Sequence, residues 1–177
     1  APVIIPRPED RYKPFPLTDI QLAYMIGREN GSLGASNVSS HVYFEMDTED
    51  LDVERYTNAW RKIVARHDMM RCVIYKTGQQ QILEHVPPFE VRYFDLSGKA
   101  EEERQRVLME IRDELRQKIK PVDVWPMYDV YVSRIDEHTF RMHVSLEGLN
   151  ADVLSLPLMM KEVQDFYNDP ALELPKL

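Results

Sequence analysis

Cysteine is nearly absent: Cys72 is the only one. A lone thiol closes no intrachain disulfide and builds no cysteine-rich zinc site, so a disulfide framework is excluded and a reducing compartment is expected. No stretch approaches the roughly 18 uninterrupted apolar residues of a membrane helix, which excludes a spanning segment of that kind. A cationic surplus is missing too. The 22 Lys plus Arg face 30 Asp plus Glu, for a net charge of −8. Nucleic-acid affinity rests largely on cationic contacts to phosphate, so neither a nucleic acid nor a membrane is expected as partner. The six glycines are scattered, and none precedes a helix in the pattern of a phosphate-binding loop. There is no His-Glu-x-x-His and no Cys-x-x-Cys. The histidines, His41, His67, His85, His138 and His143, lie far apart, so no metal site is expected. No basic segment leads into an apolar signal-like run, and a cytoplasmic location is expected.

What is present is ordinary globular composition. Apolar residues make up 44 % and charged residues 29 %, which argues against disorder, and 177 residues suit one domain. Both ends are proline-punctuated: Ala1 to Pro8, and Asn168 to Leu177. Proline fixes φ and removes an amide donor, so residues 1–14 read as a linker and residues 169–177 as the start of another. Such ends lead us to expect a piece of a longer polypeptide.

Between them the elements alternate. Thr18 and Gln21 form a capping box, and Ile20, Ala23, Tyr24 and Gly27 line one face of a helix running to about Arg28. The breakers Asn30-Gly31-Ser32 and Gly34 to Asn37 predict a loop. A strand follows over Val38–Met46. Asp52 caps a helix to about His67, with Val53, Tyr56, Trp60, Ile63 and Val64 on one face. Arg71–Lys76 and Gln80–His85 read as a hairpin around Thr77-Gly78, and Val91–Leu96 as a further strand. Lys99–Ile119 is a long charged helix whose apolar positions Val107, Leu108, Ile111, Leu115 and Ile119 form the packing stripe of a surface helix. Tyr128–Arg134 and Thr139–Leu146 pair around Asp136-Glu137-His138, and a last helix covers Ser155–Asn168. The order predicts an α/β sandwich: a mainly antiparallel sheet with helices packed on it. Cys72 sits in an apolar strand and reads as a buried, inert thiol. Tyr24, Trp60, Trp125 and the methionines read as core.

Three word-like patterns remain. Phe15-Pro16-Leu17-Thr18, then Gln21, Ala23-Tyr24 and Gly27-Arg28, resemble at all nine specified positions the opening motif of heterocyclization domains. These belong to the condensation-domain superfamily of nonribosomal peptide synthetases. Arg66-His67-Asp68-Met69-Met70-Arg71, with the later Gly78-Gln79-Gln80, resembles the family's second motif. Trp125-Pro126-Met127-Tyr128 resembles its Trp-Pro-Leu-Phe. The likeness runs from Phe15 to about Leu174.

A fourth stretch, the family's diagnostic site and called the third motif below, departs from the family. Condensation domains carry His-His-x-x-x-Asp-Gly; heterocyclization domains carry Asp, four free positions, Asp, two free positions, Ser. Here the stretch is Glu147-Gly148-Leu149-Asn150-Ala151-Asp152-Val153-Leu154-Ser155. Asp152 and Ser155 match, and Glu147 is one methylene longer than the usual Asp. Gly148 stands where the condensing His would be, which argues against His-mediated amide synthesis. Leu154 replaces a usual Trp. Pro157 lacks an amide, so the last helix is expected to start near Ser155. Glu147, Asp152 and Ser155 are the catalytic candidates, a carboxylate pair suited to general acid/base work.

The resemblance implies a chloramphenicol-acetyltransferase-like two-layer lobe over residues 15–168, the first of two that normally enclose a tunnel. It implies an Arg71–Asp152 pair holding the motif loop. It also implies substrates carried on the 4'-phosphopantetheine arms of peptidyl or aminoacyl carrier proteins, with no cofactor bound directly. The parent reaction would condense Cys, Ser or Thr and cyclodehydrate it to a thiazoline or oxazoline. The missing partner would be the second lobe or a second copy of the chain. A non-catalytic half domain acting as a scaffold or docking surface is the competing reading.

Overall fold

Alternation in two strands decides the architecture. In β6 (Tyr128–Arg134), Tyr128, Val130 and Val132 point one way and Tyr131 and Ser133 the other. In β7 (Thr139–Glu147), Phe140, Val144 and Leu146 share the first face, and His143 and Ser145 the second. The computed structural model describes residues 5, 7–29, 40–152 and 154–177. The loop expected over Asn30–Asn37, the strand start at Val38 and residues 1–4 and 6 of the first linker lie outside them.

The remaining elements follow in chain order: β1 (Phe15–Pro16), α1 (Asp19–Glu29), β2 (His41–Glu49), α2 (Val53–Arg66), β3 (Cys72–Tyr75), β4 (Gln79–Ile82), β5 (Arg92–Asp95), α3 (Glu101–Gln117) and α4 (Ser155–Asn168). The main sheet has the order β2-β7-β6-β5. Its β2–β7 and β6–β7 pairs are antiparallel, and β5 joins β6 in parallel. The antiparallel, helix-packed α/β lobe is as expected; the parallel edge strand is an addition. The small sheet β1-β4-β3 is antiparallel and carries its own core of Cys72, Ile74, Ile82, Met127 and Leu149.

The first face of the main sheet buries α2 and α4. Tyr56, Ala59, Trp60, Ile63 and Val64 meet Met159, Val163 and Phe166, with Trp60 wholly buried. Asp52 caps α2 as expected, accepting from the Arg55 amide at 2.9 Å. Helix α3 lies on the opposite face, so helices flank the sheet on both sides. Leu108, Ile111 and Leu115 of its stripe are buried and Val107 packs beside them. Ile119 falls past the helix end and is exposed.

Beneath α3 lies a polar network. Arg112 grips Glu45 with two bonds of 2.8 Å. The Tyr43 hydroxyl donates to Glu45 Oε1 at 2.6 Å, and so accepts from His143 Nδ1 at 3.0 Å. That leaves His143 Nε2 to accept from Ser133 Oγ at 3.1 Å.

Strand edges shift from the sequence reading for local reasons. β2 runs on to Glu49 because Asp47 pairs with Arg141 across the ladder at 2.7 Å. Arg71 falls in a 3₁₀ turn, Asp68–Arg71, rather than in β3. Gly78 closes the β3–β4 turn at φ 75°.

The described parts flanking the lobe, residues 7–14 and 169–177, make contacts with it. Arg11 binds both carboxylate oxygens of Asp68 at 2.8 Å, and the Tyr12 carbonyl accepts from Gln81. Past α4 the chain runs along α2 in the same direction. Arg55, Lys62 and Arg66 donate in turn to the carbonyls of Asn168, Pro170 and Pro175, while Leu172 and Leu174 pack on the core.

Candidate functional site

The third-motif loop joins β7 to α4, and α1 lies against it. The capping box forms as expected. Thr18 N donates to Gln21 Oε1 at 2.9 Å, and Gln21 N donates to Thr18 Oγ1 at 3.3 Å. This start sets the phase of α1, so that Gln21, Met25 and Arg28 face the protein. The other face, carrying Ile20, Ala23, Tyr24 and Gly27, is exposed, and nothing lies within 4 Å of where a Gly27 Cβ would stand. Tyr24, expected in the core, is 38 % exposed.

Glu147 ends β7, with its amide donating to the Met127 carbonyl at 3.2 Å. Its side chain is 3 % exposed and lies 2.8 Å from Arg28 Nη1, itself 10 % exposed. Arg28 also donates to the Lys120 carbonyl. Next to it Lys120 pairs with Asp129 at 2.8 Å and donates to the Tyr128 carbonyl at 2.7 Å. Burial pushes the Lys120 ammonium below the ordinary lysine range, against the pull of Asp129. The extra methylene of Glu147 thus ends in a buried ion pair.

Gly148 follows with its amide 2.6 Å from the Ser40 carbonyl. A Cβ there would stand 2.8 Å from that oxygen and 3.1 Å from Ser40 Oγ. No side chain fits without moving backbone, and a histidine least of all. Gly148→Ala is expected to lower stability by about 1–3 kcal/mol, the usual range for overpacking. Urea midpoints check this, and an unchanged midpoint would show that the Ser40 backbone yields freely.

Asp152 is exposed, and its Oδ1 accepts from Ser155 N at 2.7 Å and Ser155 Oγ at 2.6 Å. The Asp152 carbonyl accepts from Leu156 N at 3.3 Å. The Ser155 hydroxyl first, and the Ser155 amide after it, hold the Asp152 carboxyl below the usual range. Asp152 thus ties down Ser155, the first residue of α4, whose N-cap is Leu154, and the helix begins where Pro157 led us to expect.

The expected Arg71–Asp152 pair is not formed. Arg71 is buried under α2, where it donates to the carbonyls of Val64, Ala65 and Leu83 and to Asp68 Oδ1 at 2.6 Å. The 3₁₀ turn brings Asp68 onto Arg71 from three residues away, and Asp152 stays outside with Ser155. The first half of the second motif does other work: Arg66 and His67 both reach Glu162 of α4, His67 Nε2 at 2.6 Å. Glu162 escaped the sequence reading. Its signal was an acid inside the buried stripe Met159, Glu162, Val163, Phe166.

The remaining motif residues frame the site. Phe15 and Pro16 form β1 against Gln80 and Gln79, and Leu17 packs in the small core. Cys72 is buried as expected, its thiol pushed up to about 11 by burial. Among the described residues no three His, Cys, Asp or Glu side chains group to hold a metal, and no helix is long and apolar enough to cross a membrane.

Comparison with known proteins fits this geometry. The family model of the condensation domain matches residues 13–176. Pyochelin synthetase PchE of Pseudomonas aeruginosa is 33 % identical over 96 % of this chain, and bacitracin synthase 1 of Bacillus licheniformis 31 % identical over 96 %. Among solved structures, the cyclization-docking bidomain of the synthetase EpoB from Sorangium cellulosum superposes with a TM-score of 0.92. It is 37 % identical and covers 98 % of this chain. The chain spans 12 %, 3 % and 35 % of those three proteins' own lengths.

Proposed function

The chain belongs to the condensation-domain family, and on that footing we propose that it is the N-terminal lobe of a heterocyclization domain, inactive alone. In this reading the complete domain condenses an aminoacyl group on one carrier protein with Cys, Ser or Thr on the next. It then closes the side chain on the new amide and expels water, giving a thiazoline or oxazoline. Both substrates ride on 4'-phosphopantetheine arms, and the lobe itself holds no cofactor. The reaction takes place in the cytoplasm, in a tunnel closed by the second lobe or by a second copy.

The observation that supports this is the interlock of the opening and third motifs. Gln21 and Arg28 turn inward to Leu149 and Glu147, while Ile20, at 66 % exposure, Ala23, Tyr24 and Gly27 of the same helix face outward. One side of a site is assembled and the other is bare, an arrangement suited to a facing partner. The chain alone, incubated with loaded donor and acceptor carrier proteins, is expected to give no product above the protein-free control by mass spectrometry. Joined to a second lobe it is expected to turn over. Turnover by the chain alone would sink this reading.

The scaffold reading is favoured by one feature. Glu147 is paired with Arg28, and Asp152 is bonded to Ser155, so these two carboxylates are not set together as an acid/base pair. A joined domain that binds both carrier proteins and yields no heterocycle would select the scaffold instead.

A further inference from the structure

Gln21 and Gln80 belong to two separate motifs, yet their side-chain amides face each other in the interior, 8 % and 2 % exposed. Gln21 Nε2 donates to Gln80 Oε1 at 2.8 Å, and Gln80 Nε2 donates back to Gln21 Oε1 at 2.9 Å. Each amide then has one N–H left. That of Gln21 goes to the Leu149 carbonyl at 2.7 Å, and that of Gln80 to the Pro16 carbonyl at 3.2 Å. The oxygens are filled as well. Gln21 Oε1 also accepts from Thr18 N and Oγ1, and Gln80 Oε1 from the Cys72 thiol at 3.5 Å. Turning either amide over would set donors against donors, so the orientation of both is fixed.

Leu149 lies in the third-motif loop, between Gly148, which is pressed on Ser40, and Asp152, which holds Ser155 at the start of α4. Gln21 and Arg28 stand two turns apart on one face of α1, and they hold this loop at Leu149 O and Glu147 Oε2. We propose that Gln21 and Gln80 form a clasp that positions the third-motif loop for the reaction. Gln80 locks the Gln21 amide, and Gln21 sets the height of the Leu149 carbonyl. Neither touches substrate; both act through the loop. The clasp also gives a reason for the Gly-x-Gln of the second motif. The turn at Gly78 places Gln80 on β4, opposite Phe15, where it reaches α1. The consequence for the reaction rests on the proposed function; the placement of the loop does not.

The test separates packing from positioning with Gln21→Met, Gln80→Met and the double variant. Each single variant leaves a buried amide facing a thioether, and its urea midpoint is expected to fall. The double variant fills the same volume with two apolar chains, and part of the midpoint is expected to return, since the Leu149 and Pro16 carbonyls and the Thr18 amide still lose their partners. Amide exchange at Gly148 and Asn150, measured against amides of β6 and β7, is expected to rise about tenfold in Gln21→Met and to stay raised in the double variant. Exchange that returns to the wild-type rate in the double variant, or that never rises in Gln21→Met, would overturn the clasp. In a domain completed with a second lobe, the double variant is expected to lose about tenfold in kcat with the KM for carrier proteins unchanged. A kcat equal to wild type would limit the pair to packing and overturn its role in the reaction. A completed wild-type domain that never turns over counts against the proposed function, and the exchange result still decides the clasp.

Discussion

Acidifying the protein from pH 7 to about 4 is expected to remove about 3 kcal/mol of stability through His143 alone. The imidazole is wholly buried between Tyr43 and Ser133. Burial lowers its pKa from 6.5 to about 4, with Arg141 and Arg112 adding repulsion and Glu45 and Asp47 partly offsetting it. The folded protein therefore keeps His143 neutral where the unfolded chain takes a proton. The contribution is complete above pH 6.5 and disappears as the pH falls toward 4. Glu45 acts lower down. Its hydrogen bonds from Arg112 bring it from 4.5 to about 2, so its contribution holds above pH 4.5 and is lost below. Between pH 6.5 and 4.5 the loss comes from His143. Urea midpoints at pH 7, 5.5 and 4.5 are expected to fall in the wild type and to change much less in His143→Gln. Equal wild-type midpoints at pH 7 and 4.5 would refute the assignment.

Removing either side of the Arg28–Glu147 pair is expected to cost about 3–5 kcal/mol, the largest effect of any single substitution in the site. Both side chains are at least nine-tenths buried, so truncating one takes a counter-charge away from an ion that water hardly reaches. Arg28→Ala and Glu147→Ala should each lower the denaturation midpoint steeply. Arg28→Met with Glu147→Leu should lose less than the sum of the singles, because that double variant leaves no charge to solvate. Additive losses would mean that the two ions are held by their other surroundings rather than by each other. Glu147→Asp is a finer probe: a carboxylate withdrawn by one methylene must move either the loop or α1 to restore the 2.8 Å contact.

The sequence made legible whatever is encoded over short spans. The capping box of Thr18 and Gln21, the Asp52 cap, the α2 and α3 stripes, the turns at Gly78 and Asp136, and the start of α4 under Pro157 all follow from neighbours within a few residues. The sandwich followed from the order of these elements and the resemblance. What stayed hidden depends on partners distant in the chain. In β7 His143 is one polar residue in an alternating strand, and only the register with Tyr43 and Ser133 shows it as part of a network. The parallel seat of β5 has no periodicity of its own. Arg71 illustrates the opposite error: a distant partner was expected where a 3₁₀ turn supplied Asp68 locally. Gln21 and Gln80 were both legible as motif residues, but their meeting was not, since amide pairing leaves no trace in spacing.

The run of chain beyond α4 is recognised in an unusual currency. Arg55, Lys62 and Arg66 take hold of carbonyl oxygens at Asn168, Pro170 and Pro175. Every amino acid carries that oxygen, proline included, although proline gives up its amide hydrogen. Most side chains from Asp169 to Leu177 are exposed, and Leu172 and Leu174 alone pack on the core. The path of this segment is therefore written on α2 rather than in the segment itself. Its letters can drift, and prolines accumulate, while its course stays the same. A variant library over 169–177 should tolerate most replacements outside the two leucines, whereas the three cations of α2 carry the constraint.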